Sequence, residues 1–172
     1  MSNAITFRMA QGVPGALSRT GIGETVEQIA YGATAFSAFG LAGKLSGNTL
    51  IPPAASTDAI YGLLVRPFPI EDFAAQTGAP NTGPALGTAT PPTAGVANVM
   101  TRGYMTVKVG TGGGTPALGA AVYVRYANGT AALPVGGLEA TSVSGSNVAV
   151  PNCRFTGSAD ANGNCEVFFD NP

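Results

Sequence analysis

The chain has 172 residues, a formal net charge of −1, no histidine and no tryptophan, and only 10% charged residues, where an ordinary soluble domain carries ~25%. Without imidazole, Ser-His-Asp and Cys-His catalysis and every histidine-ligated metal site are excluded. A charge near zero with no Lys/Arg run argues against electrostatic nucleic-acid binding, and no apolar run reaches the ~18 residues of a membrane-spanning helix.

The length suits one domain, or one domain with an arm. Residues 1–20 read as that arm, either a frayed terminus or a strap that orders on a neighbouring subunit. Thr6, Phe7, Arg8 and Met9 suit a short extended piece, and Gly12-Val13-Pro14-Gly15 forces a turn. The rest, residues 21–172, forms the β-rich domain. Residues 22–39 are ambiguous: Val26, Ile29, Ala30 and Ala33 fit a helical face, while Ile29, Tyr31 and Ala33 fit strand alternation. Two apolar runs around Ser46-Gly47-Asn48 predict a hairpin that stops at Pro52-Pro53. The unbroken run from Ile60 to Val65 predicts a buried strand, because Pro67 pushes Arg66 into extended geometry.

Residues 74–98 form a long loop rich in Ala, Thr, Gly and Pro, whose prolines remove amide donors and forbid a central strand. From Arg102 to Val109 the pattern alternates, with Tyr104, Thr106 and Lys108 on one side and Met105, Val107 and Val109 on the other. Ala121 to Tyr126 gives another strand, closed by Asn128-Gly129. Short strands follow at Val148–Val150, Arg154–Thr156 and Glu166–Phe169. Short strands with Gly, Asn and Pro punctuation predict a mainly β fold. The expected form is a single antiparallel sandwich or barrel, jelly-roll-like, with long Gly/Pro-rich loops.

The motifs that could carry chemistry fail on inspection. Gly110-Thr111-Gly112-Gly113-Gly114-Thr115 lacks the Lys-Ser/Thr ending and the following helix of a phosphate loop. Glu71 and Asp72 are sequence neighbours, which point apart on a strand. The Asp160 to Asn164 loop lacks the carboxylates of a calcium site. Cys153 and Cys165 face each other only if the last hairpin is centred near residue 159. A turn at Ala161-Asn162-Gly163 puts them out of register, and free packed thiols are the default in a reducing cytosol. No cofactor and no metal site are expected. The six arginines outnumber the two lysines. Guanidinium suits bidentate pairing and interfaces, so some arginines are expected in ion pairs within the fold and others in contacts between chains.

In order and spacing, several stretches together resemble the capsid decoration, or structural cement, proteins of tailed bacteriophages. They are Gly12 to Arg19, Phe39 to Ala42, Ile60 to Pro69, Arg102 to Val107, Ala121 to Arg125 and Phe155 to Gly163. The resemblance implies a non-enzymatic protein on the outer surface of the virion capsid, made in the host bacterial cytoplasm. Its partners would be the phage's major capsid protein and further copies of itself, as a dimer or trimer, with no nucleic acid and no membrane. The family has no catalytic residues to carry over. Phe7, Arg8, Arg19, Arg66, Arg102 and Tyr104 are the candidate contacts with the capsid or with other copies. The alternative is a non-catalytic β-sandwich ligand-binding or adhesion module. Against it stand the missing Trp platform and the absence of a signal-peptide core in residues 1–8.

Overall fold

The computed structural model describes residues 12–19, 23–67 and 90–171. Their regular structure consists of ten strands, with no helix among the described residues. They are β1 (Leu17–Arg19), β2 (Thr25–Tyr31), β3 (Ala42–Ser46), β4 (Thr49–Ile51), β5 (Gly62–Leu64), β6 (Val96–Lys108), β7 (Ala121–Arg125), β8 (Leu138–Glu139), β9 (Asn147–Phe155) and β10 (Asn164–Asp170). The pairing order β2-β4-β3-β5-β6 returns to β2, because β2 also pairs with β6. Five strands therefore close into a barrel. From β6 the sheet continues outward through β10, β9, β7 and β8, and β1 lies against β6.

Of the sandwich and barrel alternatives, the strand order gives a closed barrel. It corrects one expectation: β2 and β4 run parallel, with Ala30 opposite Thr49 and Tyr31 opposite Leu50. Parallel neighbours need a crossover of a dozen or more residues. Residues 32–48, which include β3, supply it without a helix. The ambiguous segment resolves as strand: Glu27, Ile29 and Tyr31 are half-buried while Val26, Gln28 and Ala30 are exposed. Pairing with β6 on one side and β4 on the other decides between the two periods.

β6 is the hinge of the architecture. Its first half pairs with β2 and β5 in the barrel, and its second half with β10 in the extension. The register slips where Thr25 and Val26 meet Arg102 and Met100, and Gly103 beside that slip takes φ 137°. A bulge there lets one strand bend from the barrel into the extension. Val96, Ala97 and Asn98 pair with Ala30, Ile29 and Gln28, so the end of the expected 74–98 loop is strand. Of that loop, residues 74–89 lie outside the described residues.

Two apolar clusters follow from this bend. The barrel encloses Phe36, Phe39, Leu41, Leu50, Leu64, Ala97 and Val99. The extension packs Met105, Val107, Val122, Val124, Leu138, Phe155, Val167 and Phe169. Cys153 and Cys165 are both buried and free. The hairpin register pairs Val167 with Phe155, which sets Cys153 opposite Phe169 and Cys165 opposite Val107. The turn is thus centred at Ala161, and the thiols do not face one another.

Candidate functional site

The outward side of the extension carries a cross-strand row built by register alone. Tyr104 on β6 lies opposite Arg19 on β1 and Phe168 on β10, and Phe168 lies opposite Arg154 on β9. The Tyr104 and Phe168 rings sit 4.9 Å apart and tilted by 53°. The Arg19 guanidinium stands 4.4 Å from the Tyr104 ring centre, and that of Arg154 stands 4.5 Å from the Phe168 ring centre. Each cation–ring contact contributes ~0.5–1 kcal/mol at an exposed site. The four side chains therefore form one preorganised ridge, apolar in the middle and cationic at both ends. Arg-flanked aromatics of this kind anchor protein interfaces, because they desolvate cheaply and lose little rotamer freedom.

Glu166 ties the N-terminal segment to this ridge. Its carboxylate accepts hydrogen bonds from Arg19 Nε at 3.1 Å and Arg19 Nη2 at 2.6 Å, from Ser18 Oγ at 2.7 Å, and from Thr156 Oγ1. Burial pushes the Glu166 pKa up, but the bonds from Arg19, Ser18 and Thr156 outweigh it and hold the group below the usual carboxylate range. Further back, the Gly15 N–H donates to Thr106 O at 2.8 Å, and the Thr106 N–H donates to Ala16 O at 2.9 Å. A side chain at Gly15 would meet Phe39 Cβ at 2.6 Å, and φ there is +86°, so only glycine lets the segment lie this close. The described part of the expected arm thus straps across β6 of its own chain.

The expected contact residues divide accordingly. Arg19 and Tyr104 join the ridge. Arg102 is exposed beside it, 3.4 Å from Asp170. Arg66 stands apart from the ridge, stacked over Phe39 at 4.9 Å and donating from Nε to Pro14 O at 3.1 Å. Phe7 and Arg8 lie outside the described residues. Phe168, Arg154 and Glu166 were missed. Alternation in Cys153-Arg154-Phe155 and Val167-Phe168-Phe169 already turned Arg154 and Phe168 to one side. What the sequence lacked was the hairpin centre that puts them opposite each other.

Two further carboxylates brace the fold. Glu139, on two-residue β8, accepts Arg125 Nε at 2.6 Å and Nη2 at 3.0 Å, and Asn147 Nδ2 at 3.0 Å. Asp58 accepts Lys44 Nζ at 2.7 Å and the Ala54 and Ala55 amides at 2.7 and 2.8 Å. Burial pushes both thiols up to about 12, with Cys165 adding to the rise at Cys153 and Asp160 adding to that at Cys165. Neither thiol has the thiolate character of a nucleophile. Among the described residues, no group of three His, Cys, Asp or Glu side chains could hold a metal ion.

A family model described as Structural cement protein (E217 gp24/Pam3 gp6) matches residues 1–169. The chain belongs to this family of phage structural cement proteins. A chain of the solved structure titled "The capsid of Myoviridae Phage XM1" is similar in fold. It has a TM-score of 0.62 at 18% identity, over 99% of this chain and 97% of that chain. No curated protein matches. A capsid structural role in the virion follows from the family.

Proposed function

We propose that this cement protein binds the outside of the phage head, where it stabilises contacts between major capsid protein subunits and has no catalytic activity. The observation that carries the reading is the Arg19–Tyr104–Phe168–Arg154 ridge, which is locked in place before any partner arrives. A preorganised anchor loses little entropy on docking, so weak individual contacts can sum to useful binding. As a closed dimer or trimer made in the host cytoplasm, the protein would engage several capsid subunits at once and gain ~10²–10⁴-fold by avidity. A ligand that binds the mature lattice stabilises it by RT ln(1 + [L]/Kd) per site, which is ~2.7 kcal/mol at 100-fold excess over Kd.

The test is calorimetry of empty mature heads with and without saturating protein. Heads that melt at a higher temperature when decorated support the reading, and heads that melt identically contradict it. Tyr104→Ala and Phe168→Ala should abolish most of the shift, whereas substitution of exposed Leu118 should leave it intact.

A further inference from the structure

The described cations divide unevenly. Arg19, Lys44, Arg102 and Arg125 each pair with a carboxylate: Glu166, Asp58, Asp170 and Glu139 respectively. Arg66, Lys108 and Arg154 have no carboxylate partner among the described residues. Arg154 is committed to the Phe168 ring. The other two line the same cleft. Its volume is about 300 Å³, and its wall includes Phe39, Leu41, Ala132 and Pro134 beside Arg66 and Lys108. No acidic residue is among its described lining.

We propose that this cleft is a second docking site, which receives an acidic side chain with apolar neighbours from the capsid protein. The inference rests on the cement reading and adds to it a contact separate from the ridge. Lys108 shares the outward parity of Arg102 and Tyr104 on β6, but the strap over Thr106 divides the cleft from the ridge. Arg66 supplies the fixed half of the site. Its Nε is held by Pro14 O and its guanidinium is stacked on Phe39, which leaves its terminal N–H groups without a protein acceptor among the described residues. Burial holds its pKa below the usual arginine value. Lys108 supplies the other half, an exposed side chain at the end of its strand. A carboxylate entering between them would gain a planar guanidinium partner and a point charge, while its neighbours cover the apolar wall. A second copy of this chain fits less well, because its described carboxylates already have partners within the chain, Glu27 included, which accepts from the Tyr61 hydroxyl.

The test is zero-length carbodiimide coupling on decorated heads, followed by peptide mapping. The chain has only two lysines. Lys44, 2.7 Å from Asp58, provides an internal control link. The expected result is Lys108 joined to an Asp or Glu of the capsid protein, with Lys108→Glu binding heads about tenfold more weakly at low salt while Lys108→Arg binds normally. If the control link forms but Lys108 stays free, or joins only this chain's own carboxylates such as Glu71 or Asp72, the proposal is overturned while the cement reading stands. If the unmodified protein does not sediment with heads at all, both fall.

Discussion

Replacing Glu139 by Gln changes one atom and should cost more stability than almost any other polar substitution. The Glu139 side chain is 1% exposed and that of its partner Arg125 is 6% exposed. Three N–H groups converge on the carboxylate, two from Arg125 and one from Asn147. Glutamine keeps one acceptor oxygen and turns a donor toward the other N–H groups, so Arg125 is left charged, buried and half-satisfied. Breaking one side of a buried pair costs about 3–5 kcal/mol. For a domain of this size each kcal/mol lowers Tm by ~2–4 °C, so Glu139→Gln should melt roughly 6–20 °C below the parent. Urea titration followed by circular dichroism should show a lower midpoint with an unchanged slope. The double variant Arg125→Met/Glu139→Leu removes both charges and should recover much of the loss, because the penalty lies in the orphaned charge rather than in the missing bond. A Glu139→Gln variant within 1 kcal/mol of the parent would refute this account of the β7–β8 edge.

The strap should loosen at acid pH. Because the folded Glu166 pKa is depressed, its stabilising contribution is present above the unfolded carboxylate range and is lost as pH falls through the folded value. Protection factors for amide exchange at Gly15 and Thr106 should therefore fall at acid pH in the parent toward those of Glu166→Gln, which should be loose at every pH. Equal protection in the two proteins at neutral pH would contradict the clamp. Cys153 and Cys165 should resist iodoacetamide at pH 8 in the native state and react in urea, since burial holds both near 12. Fast native labelling would mean that the extension core opens readily.

Strands whose alternation is strong were legible in sequence. Met105 and Val107 against Tyr104 and Lys108 mark β6, and the apolar run ahead of Pro67 contains β5, although the strand is shorter than the run and spans only Gly62–Leu64. Three features were not legible, each for a physical reason. β2 carries both helical and strand spacing, and only its two neighbours decide. β8 is two residues long and follows Pro134 and Gly136-Gly137, so it reads as loop until Arg125 is seen to hold Glu139. The ridge depends on registers between β1, β6, β10 and β9, which link residues far apart in the chain. Tyr104 and Arg19 could be suspected individually, but their union with Phe168 and Arg154 is a property of the sheet. Arg66 and Arg102 were suspected on the same grounds as Arg19. The fold uses Arg66 to hold Pro14 and places Arg102 beside Asp170.

The most direct test of the capsid role is a reconstruction of heads carrying this protein at a resolution that separates side chains. The account predicts density for the protein on the outer surface, with the Tyr104–Phe168 ridge covered by a capsid protein or a second cement subunit. A ridge left open to solvent in every copy, or heads that carry no copies, would contradict it.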